Sequence, residues 1–220
     1  GKFTQMATWE EVVAFSQPLV AIPECAPVVV STPMRTAKVM RLGEDGAPEL
    51  APMRWGFSKP GNATFKPDHM HARAETIDTR PTFAEAFAER RGIVLVETFN
   101  EGEQLASGKT QQWVIRPKDR KPIAIAVIWE EWAGDAGSEA TFVMVTVPPN
   151  ELIGRITDRM PAILRQEDWR VWLGEEDRPL KDVKALLRTF DDDGAWEMTP
   201  QVASSISKAK AAKPVQGSLF

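Results

Sequence analysis

The sequence predicts an α+β fold on three observations: six short runs rich in Val, Ile or Thr, four separate segments with helical spacing, and no regular strand–helix alternation. Short strands that follow one another in this way point to antiparallel pairing. Residues 8–15 form the first predicted helix, with Thr8 as its cap and Glu10 and Glu11 in the first turn, where acidic groups complement the helix dipole. Strands are expected at residues 28–31 and 38–42, and a helix at 82–90, just after Pro81. Four more strands follow at 93–97, 112–115, 123–128 and 141–147, then helices at 168–173 and 180–187. From about Val202 the composition shifts to Ser, Lys and Ala, with Pro214 and Gly217, which reads as a solvated tail. The expected organisation is one domain over residues 1–201 and a tail over 202–220.

Composition narrows the setting. No apolar run reaches the roughly 18 residues of a membrane span, and no charged-then-apolar leader is visible, so a soluble, cytoplasmic protein is expected. The single cysteine, Cys25, cannot make an internal disulfide; set between Pro23-Glu24 and Ala26-Pro27, it reads as a small buried or loop residue. The net charge of −4 counts against a surface that attracts polyanions everywhere, so any such site has to be a local basic groove.

Three segments carry charge where apolar residues would otherwise form core: residues 53–57 (Met-Arg-Trp-Gly-Phe), 71–76 (His-Ala-Arg-Ala-Glu-Thr) and 155–164 (Arg-Ile-Thr-Asp-Arg-Met-Pro-Ala-Ile-Leu). Desolvating an Asp or Arg costs several kcal/mol unless it is paired, so such charges mean either a structural ion pair or a site. Each segment lies near a turn-forming Gly or Pro, which suggests one shared cleft.

At these residues the chain resembles the SOS response-associated peptidase (SRAP) family, whose signatures run Arg-Trp-Gly, Asn-Ala-Arg-Ala-Glu-Thr and His-Asp-Arg-Met-Pro, in that order. A fourth segment, residues 90–101, resembles the strand-to-loop segment that carries the family's Glu after a pair of basic residues, and the likeness extends over roughly residues 1–200. The resemblance implies a barrel-like β core with flanking helices. It also implies a nucleoid-associated DNA-damage protein that binds single-stranded DNA and crosslinks to abasic sites through its N-terminus, with autoproteolytic removal of its own leading residues. On that reading Arg54, Arg73, Arg80 and Arg159 line the DNA groove, and Trp55 offers a stacking surface worth about 1–3 kcal/mol per base. The competing reading, in which these arginines pair with Glu75 or Asp158 in a structural network, remains open.

The family's nucleophile is an N-terminal Cys placed directly before Gly. An α-amine of pKa about 7.7–8.0 is partly neutral at physiological pH and condenses with an aldehyde to an imine, and the adjacent thiol then closes a thiazolidine. This chain begins Gly1-Lys2-Phe3-Thr4, so either a Cys precedes Gly1 in the native protein, the preferred reading, or Gly1 supplies the amine alone. Two departures accompany it: the family's Asn is His71 and the family's His is Thr157. An imidazole near its ordinary pKa of about 6.5 suits delivery of a proton to the sugar ring oxygen, and His71 is the candidate. Glu101 matches the family's catalytic Glu and is expected at a strand end, in an exposed loop facing the cleft. The candidate catalytic set is therefore Gly1, His71, Glu101 and Thr157.

His69 and His71 on one extended segment could begin a metal site, but no third ligand with suitable spacing appears, and neither metal nor cofactor is expected. The chain ends Gln216-Gly217-Ser218-Leu219-Phe220, which resembles the pentapeptide that docks bacterial repair proteins on the DNA polymerase sliding clamp, with Gln216, Leu219 and Phe220 as the contacting residues. The alternative is a Phe that packs back on the domain. Two further functional readings stand beside crosslinking. One is a catalytically degenerate DNA-binding module of the same fold; the other is a cysteine peptidase acting on other proteins, for which no Cys/His/Asn arrangement is visible.

Overall fold

The computed structural model describes residues 2–5, 30–57, 68–134, 137–191 and 194–201. Among the described residues, eleven strands form one sheet: β1 (Lys2–Gln5), β2 (Val30–Ser31), β3 (Thr36–Leu42), β4 (Pro48–Trp55), β5 (His71–Arg73), β6 (Arg91–Gln104), β7 (Thr110–Pro117), β8 (Ile123–Gly134), β9 (Gly137–Val147), β10 (Met160–Pro161) and β11 (Trp196–Pro200). The helices described are α1 (Pro81–Glu89), α2 (Trp169–Leu173) and α3 (Leu180–Lys184). Strands β9, β4, β3, β6 and β8 pair in a closed circuit, which gives the core its barrel-like form. The circuit is narrow at two joints, where β3 meets β6 only at Met40 and Ile93, and β4 meets β9 only at Arg54–Thr141 and Trp55–Phe142.

Sequence and architecture agree on fold class but differ in detail. Pairing is mainly antiparallel as expected, yet β4 and β5 both run parallel to β9. Each predicted strand from 93–97 onward is longer than its apolar run, because hairpin partners continue the ladder past the last Val or Ile. β4 escapes prediction because it contains Pro48 and Pro52. Pro52 lies opposite Lys38 and has no N–H to give, a position tolerated because β9 joins β4 only beyond it. The helix predicted at 168–173 divides into a 3-10 turn, Gln166–Asp168, followed by α2, and the helix predicted at 180–187 stops as α3 at Lys184. The predicted helix at 8–15, residues 28–29, Cys25 and the tail lie outside the described residues.

β6 explains how the core reaches the surface. Its first half, Ile93 to Val96, is buried on both faces, since one face lines the barrel and the other receives α1 and α2. Gly92 is required here: a Cβ would stand 2.6 Å from Val39 Cγ1 and 3.0 Å from the Met40 carbonyl oxygen. The neighbouring Arg91 binds three backbone carbonyls, donating to Trp172 O at 2.6 Å and to Phe87 O and Ala88 O at the end of α1. Burial lowers its pKa from the ordinary guanidinium value. Beyond Val96 the strand leaves the barrel and pairs with β1 and β7 instead of β8.

A candidate nucleic-acid interface along strand β9

β9 gathers the three charged segments. On one side it is flanked first by the end of β4 and then by β5, with His71 opposite Met144, Ala72 opposite Val145 and Arg73 opposite Thr146. β10 pairs antiparallel with its last residues, Met160 with Val147 and Pro161 with Thr146. The Arg-Trp-Gly segment turns away from β9 at Gly56, whose φ of +118° is one that side chains disfavour and whose N–H donates to Phe142 O at 2.7 Å. β5 follows the period of a strand: Ala72 enters the core, while His71 and Arg73 face outward.

Directly after β5, residues Ala74–Thr76 form a 3-10 turn that carries Glu75. Arg159, just before β10, donates to both Glu75 oxygens, Nη1 to Oε1 at 2.6 Å and Nη2 to Oε2 at 2.9 Å, and Nη2 also donates to Thr146 O at 2.6 Å. That bidentate hydrogen bond holds the Glu75 carboxyl below its usual range, against the opposing effect of burial. Arg54 is held in the same way by Glu139, at 2.7 and 2.8 Å, which raises its own pKa. Two of the four predicted groove arginines thus have their donor forks occupied by carboxylates. Arg73 and Arg80 are exposed, and among the described residues neither makes an ion pair; Arg80 lies over the Phe83 ring at 5.6 Å.

Trp55 requires a correction. Its expected role as a base-stacking surface is ruled out by complete burial, at 0% exposure, between Phe3 at 5.2 Å and Phe142 at 6.3 Å. Its indole N–H donates to Met70 O at 3.1 Å, and the edge of its ring meets His71 at 6.0 Å. Alternation decides this: Trp55 shares the inward face of β4 with Met53, while Arg54 faces out.

Two of the proton-transfer candidates, Glu101 and His71, lie near β1, the first along β6 and the second across Trp55 from Phe3. Lys2 pairs with Asn100 and Phe3 with Phe99, so Glu101, one step further along β6, borders the start of β1. Gly1 itself lies outside the described residues. Glu101 is not in an exposed loop, as the sequence suggested, but half-buried within β6, opposite Trp113. Burial raises its carboxyl pKa, and the positive α-amino group acts in the opposite direction. The same two causes push His71 down to about 4: desolvation by surrounding protein first, then the α-amino charge.

The imidazole edge is open to solvent although the ring is recessed among protein atoms, and both the recess and the nearby positive charge favour the neutral form. The expected pKa near 6.5 is therefore not met. A neutral His71 can donate or accept a hydrogen bond but is not a store of imidazolium protons at pH 7. Thr157 is half-buried beside the 3-10 turn Ile153–Arg155, its backbone N–H donating to Ile153 O at 3.2 Å. His69 and His71 do not share a face. A bend at Met70 separates them, and His69 packs against Phe83 at 5.3 Å.

Sequence reasoning missed Glu139, Thr146, Asp78 and Lys184, and nothing local could have indicated them. Glu139 is 85 positions from Arg54, and Lys184 is 106 from Asp78. A cavity of about 260 Å³ lies among Trp196, Phe190, Ile163, Lys121 and Arg165, and no predicted site residue lines it.

Fold and site together define a class: a mixed, barrel-like β protein whose first strand lies beside a half-buried carboxyl, with outward-facing basic residues on neighbouring strands. The chain belongs to the SOS response associated peptidase (SRAP) family, whose sequence pattern matches residues 1–208. It is 30% identical over 168 residues to the abasic site processing protein YoqW of Bacillus subtilis, covering 75% of this chain and 74% of that protein. Similarity to the abasic site processing protein YoaM of the same organism is also 30%, over 73% of this chain and 71% of that one. A crystal structure of a Bordetella bronchiseptica protein superposes with a TM-score of 0.75 at 21% identity, over 91% of this chain and 99% of that chain, which shows the shared fold.

Proposed function

We propose that this protein processes abasic sites in DNA, joining covalently to the sugar aldehyde through its N-terminal residue. The observation that carries this reading is the placement of Glu101, a carboxyl of raised pKa, beside the start of β1, with Glu101 and His71 both feeling the α-amino charge. As the amine nitrogen attacks the aldehyde carbon, Glu101 relays one nitrogen proton to the carbonyl oxygen, giving a carbinolamine. It then relays the second nitrogen proton to that hydroxyl, which leaves as water as the C=N bond of the neutral imine forms. Where the amine belongs to a Cys, its thiol adds to the imine carbon and closes a thiazolidine; where it belongs to Gly1, the product remains a reversible imine.

Single-stranded DNA is the preferred form on this reading, with Arg73 and Arg80 as the first phosphate contacts because their guanidinium groups are exposed. Arg54 and Arg159 reach phosphate only by exchanging their carboxylate partners. Where the leading residue is a Cys, its thiol also serves autoproteolysis: the sulfur attacks the preceding carbonyl carbon, the α-amine leaves, and water hydrolyses the thioester to release the preceding residues. The test is incubation of the full-length protein with an oligonucleotide carrying one abasic site. A band shift that survives heat and high salt is expected, whereas a shift lost in high salt would leave only the degenerate DNA-binding module. The C-terminal residues Gln216, Leu219 and Phe220 are assigned to the sliding clamp; deleting residues 216–220 is expected to abolish clamp binding, and unchanged affinity would remove this assignment.

A further inference from the structure

A tie outside the chemistry described so far reaches from α3 to the turn after β5. Lys184, the last residue of α3, donates from Nζ to Asp78 Oδ1 at 2.6 Å and to the backbone oxygen of Glu75 at 3.0 Å. α3 is itself anchored, since Val183 is buried in the core. Lys184 therefore presents a fixed ammonium to the 3-10 turn Ala74–Thr76, and it satisfies a turn-end carbonyl that would otherwise need another donor. Glu75 is held twice, by Lys184 at its backbone and by the Arg159 fork at its carboxylate. His71 and Arg73 lie within the preceding four residues, on a strand of only three residues.

We propose that Lys184 is a positioning residue for DNA engagement: its grip on Glu75 O and Asp78 fixes the turn that orients the Arg159 fork and the outward residues of β5. The inference rests on the proposed abasic-site function. Lys184 does not touch the reacting atoms, so its loss changes how well DNA is held rather than how fast the bond forms once DNA is seated. The isosteric stem of Lys184→Met keeps the packing and removes the donors.

The experiment follows crosslinking of the full chain to a single-abasic-site oligonucleotide under single-turnover conditions, across a range of protein concentrations. For Lys184→Met, the half-saturating concentration is expected to rise about tenfold, the equivalent of one hydrogen bond to a charged group, with the plateau rate unchanged. Lys184→Arg, which can reach both oxygens, restores most of the loss. Asp78→Asn removes only the charge partner, shifts half-saturation less in the same direction, and reports on the turn even if Lys184→Met unfolds. An unchanged half-saturation in Lys184→Met and Asp78→Asn, or a fall in plateau rate alone, overturns the inference. Absence of crosslinking by the unaltered protein would instead overturn the proposed function.

Discussion

Glu101→Gln is expected to slow crosslinking by about 10²–10⁴-fold, the range supplied by a positioned general acid–base group, while DNA binding stays within twofold. The amide fits the same half-buried position in β6 opposite Trp113 but cannot carry the proton that passes from the amine to the departing hydroxyl. The pH profile provides a second readout. Burial raises the Glu101 pKa, so on lowering the pH the carboxylate takes up its proton earlier than an ordinary Glu, and the acid limb lies above pH 4.5. That limb disappears in Glu101→Gln, leaving the limb of the amine. His71 contributes no limb near 6.5, because its pKa is held down at about 4. Single-turnover rates between pH 4 and 9 check these points; a Glu101→Gln profile that superimposes on the original would remove Glu101 from the chemistry.

Trp55→Ala is expected to cost about 3–5 kcal/mol of stability, the range for deleting a buried aromatic whose surroundings cannot collapse. The ring is enclosed by Phe3 and Phe142, its N–H is committed to Met70 O, and it joins β1, β4 and β9 at one of the two narrow joints of the barrel. In a chain of this size each kcal/mol lowers Tm by about 2–4 °C, so thermal unfolding should begin roughly 10 °C earlier. Trp55→Phe keeps most of the ring and loses the hydrogen bond to Met70 O, for which about 0.5–1.5 kcal/mol is expected. A folded Trp55→Ala protein of unaltered Tm that had lost DNA affinity would restore the stacking role that burial argues against.

The two arginine pairs follow the structural reading that the sequence left open, without removing a role in binding. A phosphate can compete with Glu75 for the Arg159 fork because the two anions ask for the same planar donor geometry. The competition costs the ion pair, so the arginines that attract DNA first are Arg73 and Arg80, which are exposed and make no ion pair among the described residues.

The sequence alone determined the α+β class, the interiors of the apolar strands, the family, and the clustering of three charged segments. Each of these is encoded locally, in side-chain period, in turn residues such as Gly56, and in short motifs whose spacing is visible along the chain. Tertiary structure decided everything that depends on a partner far away. It turned Trp55 inward and Arg54 outward, placed Glu101 within a strand beside the first residues of β1, and moved His71 off its ordinary pKa. It also supplied Glu139 and Lys184 as partners. Burial, charge and hydrogen bonding act through space. Residues 85 to 109 positions apart in the chain meet only after the barrel has closed around β9, and until then their chemistry is that of isolated side chains.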